Sequence, residues 1–125
     1  MGTVLVIDDE KAITDMLHRA LTRFGFEVLV AVGGEQGVAL FDQFHIDVVL
    51  TDVMMPRFGG VEVVNHIRRS DKKKTPVIAM SGTPALLGTH DFDLILPKPF
   101  SIYELLAHLR RVFPEGVGPN SAGHN

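Results

Sequence analysis

Short apolar runs alternate along this chain with longer stretches whose apolar residues recur at the spacing of a helix. Seven apolar residues between Ala12 and Phe24 fall on one helix face, and Gly25 follows as a helix stop. Ser101 and Glu104 have the spacing of a capping box and predict the start of a last helix. Strands that alternate with helices predict βαβ units and a parallel sheet covered on both faces.

Four of the apolar runs end in a residue that can take part in phosphate chemistry. Residues 4–7, 48–51, 77–80 and 94–96 form these runs, and they lead respectively to Asp8 and Asp9, to Asp52, to Ser81 and, through Pro97, to Lys98. Right-handed crossovers bring the carboxyl ends of parallel strands to the same edge of a sheet. In a flavodoxin-like α/β sheet of five strands with the order 2-1-3-4-5, the ligand crevice lies between strands 1 and 3, which end in the acidic residues.

The carboxylates of Asp8, Asp9 and Asp52 predict a metal site at that edge. Closely packed carboxylates repel one another unless their pKa values rise or a cation neutralises them. The loops offer oxygen ligands with no His or Cys, which favours Mg²⁺ first and Mn²⁺ second. Asp52 stands alone at the end of a central strand, between the acidic pair and the side of Ser81 and Lys98, and is the predicted nucleophile toward phosphorus.

Composition narrows the class of protein. The chain has 125 residues, 46% of them hydrophobic, which suits one domain with one core. We expect this domain to cover residues 1–115. Residues 116–125 are rich in Gly, Pro, Ser and Asn, and we expect them to form a disordered tail or the start of a linker.

A net charge of −3 argues against direct nucleic-acid binding, and no apolar run approaches the length of a membrane span. We therefore expect a cytoplasmic protein.

The residues at the strand ends resemble the receiver domain of two-component response regulators. The matching stretches are VLVIDDE at residues 4–10, TDVMMP at residues 51–56 with Gly60, Ser81-Gly82, and Lys98-Pro99-Phe100. Each stretch alone is a weak signal, but all of them occur in order and on the predicted strands. Together they cover about residues 3–113.

The resemblance implies a role for each acidic residue. Asp52 matches the phosphoacceptor aspartate, Asp9 the acid that contacts Mg²⁺ directly, and Asp8 the acid that usually acts through water. Met54 matches the position at which the family uses a backbone carbonyl as a metal ligand.

The resemblance also implies two residues that respond to the phosphoryl group. Ser81 matches the switch Ser/Thr that moves toward the phosphoryl oxygens, and Lys98 matches the lysine that pairs with the phosphorylated aspartate. The Lys98-Pro99 peptide matches a bond that is cis in the family.

The function that follows from the resemblance is phosphoryl acceptance in a two-component system or phosphorelay. A histidine kinase or a histidine phosphotransfer protein would be the donor, and a downstream protein or a linked output domain would receive the signal. We expect no enzyme activity beyond assistance to the domain's own phosphorylation and dephosphorylation.

The chain departs from the family's pattern in four places, one of which is Gly59, where an acid or similar residue often caps the third helix. Ile95 stands where the family usually has an aromatic residue that swings inward together with the switch Ser/Thr. Lys98 follows Ser81 by only 17 positions, which leaves little room for the helix expected between strands 4 and 5. We predict that this helix is a stub or irregular, and that the surface around it is altered. Met54 and Thr83 occupy the positions that tune dephosphorylation, and neither can easily orient a water.

Two other functions compete with phosphoryl acceptance. One is a pseudo-receiver that binds proteins without phosphate, which the complete acidic, hydroxyl and lysine set argues against. The other is an enzyme, an aspartyl phosphatase or phosphotransferase. Such an enzyme needs a second acid at the position of Met54 and a cap over its active site, and this chain is too short to form the cap. The basic cluster of Arg68, Arg69 and residues 72–74 is interpreted as a solvated turn rather than an anion site.

Overall fold

The computed structural model describes residues 2–113. The predicted domain end at residue 115 and the predicted tail 116–125 lie outside the described residues. The elements follow in strict alternation, with one 3₁₀ turn in the place of a helix: β1 (Thr3–Ile7), α1 (Lys11–Arg23), β2 (Glu27–Ala31), α2 (Gly34–Gln43), β3 (Val48–Asp52), α3 (Gly60–Arg68), β4 (Val77–Ser81), the 3₁₀ turn (Pro84–Leu86), β5 (Leu94–Pro97) and α4 (Ile102–Val112).

The five strands form one parallel sheet in the order β2-β1-β3-β4-β5, so the predicted fold class is confirmed. Successive residues of β1 point to opposite faces, as strand geometry requires. Val4 and Val6 pack in the cluster beneath α1 and α4, whereas Leu5 and Ile7 pack in the cluster beneath α2 and α3. β1 and β3 are neighbouring parallel strands in the middle of the sheet, and they are largely buried. Their carboxyl ends therefore lie side by side at the same edge of the sheet.

The connection between β4 and β5 is short, as its sequence predicts. It contains only the 3₁₀ turn Pro84–Leu86 and then Gly88, whose φ of 61° is accessible at low cost to glycine. Leu86 at the turn is 81% exposed. The connection before β5 is therefore a loop with one 3₁₀ turn, in the place where the family usually has a full helix.

The basic cluster is not a solvated turn throughout, and the prediction was wrong for two of its members. The ammonium of Lys72 donates to the carbonyl oxygen of Phe41 and lies 4.5 Å from the centre of its ring. Arg68 donates to four acceptors, which are described below. Both residues tie separate elements together, whereas Lys73 and Lys74 are exposed.

The start of α4 carries the capping box that the sequence predicts. The Ser101 hydroxyl accepts from the Glu104 amide at 3.1 Å, and a Glu104 carboxylate oxygen accepts from the Ser101 amide at 2.8 Å. We expect Ser101→Ala to lower the free energy of unfolding by about 1 kcal/mol, because an amide of the first turn loses its acceptor. Urea denaturation measures this, with Ser101→Asp as the control that keeps an acceptor. Equal losses in both variants would contradict the role of the cap.

None of the helices in residues 2–113 has the length and apolarity that would let it cross a membrane.

Candidate functional site

Asp8 is buried at the carboxyl end of β1 although it carries a charge. Its backbone amide donates to the carbonyl oxygen of Ala31 at 3.1 Å, which fixes the residue against the end of β2. One carboxylate oxygen, Oδ1, accepts from the amide of Glu10 at 2.9 Å. The other oxygen, Oδ2, is buried and has no hydrogen-bond partner among residues 2–113.

The carboxylates of Asp8, Asp9 and Asp52 converge as predicted. One oxygen from each can be chosen such that all three lie within 4.8 Å of one another. Asp9 is exposed and Asp52 is 6% exposed, so the cluster opens to solvent on the side of Asp9. The pairing of β1 with β3 brings the acidic residues together, because both strands end at the same level of the sheet.

Burial raises the pKa of Asp8 from 3.8 to about 6. This value of about 6 already includes the charge of Asp52, which also raises the pKa, and the amide of Glu10 and the ammonium of Lys98, which lower it. A buried carboxylate oxygen without a donor is costly, and a divalent cation would satisfy it. An all-oxygen set of three carboxylates, one of them with a free buried oxygen, fits a hard cation such as Mg²⁺.

Lys98 reaches the acidic cluster from the end of β5. Its ammonium lies 3.1 Å from Oδ1 of Asp52 and 3.8 Å from Oδ2 of Asp8, so the first contact is a hydrogen bond and the second is longer-range. The Lys98 amide donates to the carbonyl oxygen of Ser81 at 2.8 Å, which fixes the backbone from which the side chain extends. The Lys98-Pro99 peptide bond is cis.

Ser81 and Met54 flank Asp52 on different elements. Ser81 is the last residue of β4, is 2% exposed, and its hydroxyl accepts from the amide of Thr83 at 3.1 Å. Asp52 pairs in register with Met80, the neighbour of Ser81, so β3 and β4 bring the two side chains to the same edge. Met54 lies in the loop after β3 with its side chain 77% exposed. Its role as a metal ligand through the backbone carbonyl stays a prediction.

Gly60 allows α3 to start directly against the backbone of the site. A Cβ atom at this position would lie 2.6 Å from the carbonyl oxygen of Asp52. The Gly60 amide donates to the carbonyl oxygen of Val53 at 2.9 Å, so the helix start is held against the residue that follows Asp52. A larger residue would have to push α3 away from β3 and with it the loop that carries Met54.

The family model of the response regulator receiver domain matches residues 4–110. The chain belongs to this family. It is thus a receiver domain of the kind found in two-component response regulators, with an acidic pocket formed by Asp8, Asp9 and Asp52.

Two curated relatives of this receiver domain are named as transcriptional regulatory proteins. CpxR of Klebsiella pneumoniae is 37% identical over 90% of the chain, and TrcR of Mycobacterium tuberculosis is 36% identical over 86%. The matched regions are 49% and 43% of those proteins, so the chain spans about half the length of the curated relatives it matches.

Solved structures resemble the receiver domain over nearly its whole length. One of them is the response regulator TrrA of Thermotoga maritima, in complex with Mg²⁺ and beryllofluoride, which superposes with a TM-score of 0.82 at 29% identity. The superposition covers 90% of this chain and 100% of the TrrA chain. The chemotaxis protein CheY4 of Vibrio cholerae superposes with a TM-score of 0.79 at 31% identity and covers 90% of this chain and 99% of its own.

The sequence analysis missed two contacts that bear on β5. His108 of α4 lies with its Nε2 atom 3.2 Å from the carbonyl oxygen of Ile95, the residue that stands where an aromatic was expected. Asp93, the residue that precedes β5, had no assigned role and forms an ion pair with Arg68 at 2.7 Å. Neither pair is visible as a local pattern, because each joins residues of different elements.

Proposed function

We propose that this receiver domain accepts a phosphoryl group on Asp52 from a phosphohistidine. The observation that carries the proposal is the position of the Asp52 carboxylate, which lies in the acidic cluster and 3.1 Å from the ammonium of Lys98. A nucleophilic carboxylate with a cation on one side and a divalent-metal site on the other has the parts that phosphoryl transfer requires.

In the proposed reaction an Asp52 carboxylate oxygen attacks phosphorus in line with the leaving imidazole nitrogen. The O–P bond forms as the P–N bond breaks, and the imidazole leaves with the electron pair and takes up a proton. The ammonium of Lys98 offsets charge on the transferring oxygens, and the Ser81 hydroxyl donates to one of them afterwards. Both side chains extend from backbone that is joined by the hydrogen bond between Lys98 and Ser81.

A metal ion is part of the proposal. Asp8, Asp9 and Asp52 would hold it with the carbonyl oxygen of Met54, and Mg²⁺ is preferred over Mn²⁺ for this oxygen set. When bound, it supplies positive charge that offsets the charge on the phosphoryl oxygens.

An apolar groove beside Lys98 is the proposed docking surface for the phosphohistidine partner. The groove has a volume of about 360 Å³ and is lined by Glu10, Ile13, Met16, Lys98, Pro99 and Phe100. Met16 on α1 is 40% exposed, so the groove offers apolar surface next to the site. A histidine kinase or a histidine phosphotransfer protein would present its histidine here.

The output of the phosphorylated state is proposed to be a downstream protein or a linked output domain. The curated relatives are transcriptional regulators about twice as long as this chain, which supports a linked output domain. The receiver domain itself is proposed to bind no nucleic acid directly and to catalyse nothing but its own phosphorylation and dephosphorylation.

Incubation with acetyl phosphate tests the function with a small donor. We expect intact-mass spectrometry to detect one added phosphoryl group in the presence of Mg²⁺ and none with excess chelator. Asp52→Asn should abolish the addition, whereas Asp71→Asn, which changes an exposed aspartate outside the site, should leave it unchanged. A wild-type chain that stays unmodified while its Mg²⁺ site is filled would favour a pseudo-receiver.

The phosphorylated state should last for minutes or longer after the donor is removed. Met54 and Thr83 offer no carboxylate or amide beside Asp52, so neither can easily orient an attacking water. Decay of the phosphorylated mass with time measures the lifetime. We expect Met54→Asn, which supplies an amide, to shorten it several-fold, with Met54→Leu as the control. A half-life of seconds in the wild-type chain would contradict this account.

A further inference from the structure

Arg68 makes an unusually complete set of contacts for a residue at the end of a helix. Its Nη1 atom donates to the carbonyl oxygens of Lys73 at 2.8 Å and Thr75 at 2.7 Å. Its Nη2 atom donates to the carbonyl oxygen of Asp91 at 2.9 Å and to Oδ2 of Asp93 at 2.7 Å. One guanidinium therefore joins the end of α3, the connection to β4 and the segment that enters β5.

Asp93 links Arg68 to the first residue of β4. The Oδ2 atom that Arg68 contacts also accepts from the backbone amide of Val77 at 2.7 Å. The backbone amide of Asp93 in turn donates to the carbonyl oxygen of Val77 at 2.9 Å. Asp93 is thus bonded twice to the first residue of β4, and Arg68 holds the carboxylate that makes one of these bonds.

The strand that begins at this point needs such an anchor. β5 has only four residues and lies at the edge of the sheet, so β4 is its one strand neighbour. The connection that precedes it holds a single 3₁₀ turn, which packs less surface than a full helix would. Lys98 follows β5 directly, and its amide bonds to Ser81 at the last residue of β4. β5 is therefore fixed at both ends to the two ends of β4.

We propose that Arg68 is a positioning residue for Lys98. Through Asp93 it fixes the start of β5 against β4, and β5 then holds the Lys98 ammonium at 3.1 Å from Asp52. The consequence for phosphoryl transfer rests on the proposed function, whereas the consequence for the position of β5 does not. Loss of the guanidinium would loosen a four-residue edge strand whose far end carries the ammonium of the site.

Arg68→Met tests this proposal because it removes the donors and keeps most of the apolar stem. Two controls accompany it. Arg69→Met makes the same charge change at the next residue, which is exposed, and Val28→Ala truncates a core contact in β2, at the opposite edge of the sheet. For each variant, hydrogen exchange is measured at the amides of Asp93 and Lys98, together with the unfolding free energy and the rate of phosphoryl uptake from acetyl phosphate.

We expect exchange at both amides to be roughly tenfold faster in Arg68→Met, because charge-assisted hydrogen bonds that fix the strand are lost. Phosphoryl uptake should slow by roughly threefold to tenfold. Arg69→Met should match the wild type, and Val28→Ala should lose stability without slowing uptake. Arg68→Lys keeps the positive charge but lacks the forked donors of the guanidinium, so its exchange and uptake rates should fall between those of the wild type and Arg68→Met.

Two results would overturn the proposal. In one, exchange quickens at Asp93 alone while Lys98 and the uptake rate keep their wild-type values. In the other, Arg68→Met and Val28→Ala change exchange at Lys98 equally for an equal loss of stability. If the wild-type chain takes up no phosphoryl group, the proposed function fails, but exchange at Lys98 still decides whether Arg68 fixes its position.

Discussion

Asp8→Asn is expected to make the metal-free protein more stable at pH 7, by about 1–2 kcal/mol. The wild-type carboxylate is buried with one oxygen unpartnered, and its pKa is raised from 3.8 to about 6. The difference between these two values corresponds to about 3 kcal/mol against the charged form at pH 7. An asparagine removes the buried charge and keeps an oxygen to accept from the amide of Glu10, but its amide group is itself imperfectly paired, so only part of the 3 kcal/mol is recovered.

The pH dependence of this gain has a definite sign. The folded state binds the Asp8 proton more tightly than the unfolded state, so the cost of Asp8 is fully present above its folded pKa of about 6. It falls as the pH drops from 6 toward 4 and vanishes below the unfolded pKa of 3.8. The advantage of Asp8→Asn over the wild type should therefore shrink over this window.

Urea denaturation with excess chelator at pH 7 and pH 4.5 measures both effects. Asp71→Asn, which removes an exposed aspartate charge outside the site, is the matched control. Addition of Mg²⁺ at pH 7 should stabilise the wild type and have a much smaller effect on Asp8→Asn, because binding to the folded state alone raises its stability. An Asp8→Asn variant that is less stable than the wild type at pH 7 without metal would contradict the cost assigned to the buried charge of Asp8.

Asp9→Asn is expected to weaken Mg²⁺ binding by roughly tenfold to hundredfold while it leaves the metal-free protein almost unchanged in stability. Asp9 is exposed, so its charge costs little when the metal is absent, in contrast to the charge of Asp8. The variant removes one of the three negative charges that would hold the cation. Isothermal titration calorimetry with MgCl₂ at pH 7 measures the affinity, and urea denaturation measures the stability.

The comparison of the two variants is the informative part of this experiment. Both should bind Mg²⁺ weakly, but only Asp8→Asn should gain stability without metal. Asp71→Asn, which removes an exposed aspartate charge outside the site, provides a control for the change in net charge. Unchanged Mg²⁺ affinity in Asp9→Asn would exclude Asp9 from the metal site.

The convergence of Asp8, Asp9, Asp52 and Lys98 was predictable because it depends on topology. Apolar runs identify parallel strands, the handedness of the crossovers brings their carboxyl ends to one edge, and the residue after each run then lies at that edge. The short 3₁₀ connection was predictable because Lys98 follows Ser81 by only 17 positions, and the residues between them must also form β5.

The contacts of Arg68 and Lys72 were not predictable, since they depend on the packing of distant elements. Arg68 and Asp93 are 25 positions apart, and Lys72 and Phe41 are 31 positions apart. A run of basic residues between a helix and a strand has the same local composition whether its members are solvated or bonded. The unpartnered oxygen of Asp8 is likewise a property of packing, because it depends on which donors of other elements come within hydrogen-bond distance of the end of β1.

The central claim is that Asp52 holds a phosphoryl group between the metal site and Lys98. A crystal structure of the chain with Mg²⁺ and beryllofluoride tests it most directly. The account predicts beryllofluoride on an Asp52 carboxylate oxygen, the metal among Asp8, Asp9 and Asp52, and the Lys98 ammonium within hydrogen-bond distance of a fluorine. Beryllofluoride bound elsewhere, or a metal site filled while Asp52 stays unmodified, would contradict it.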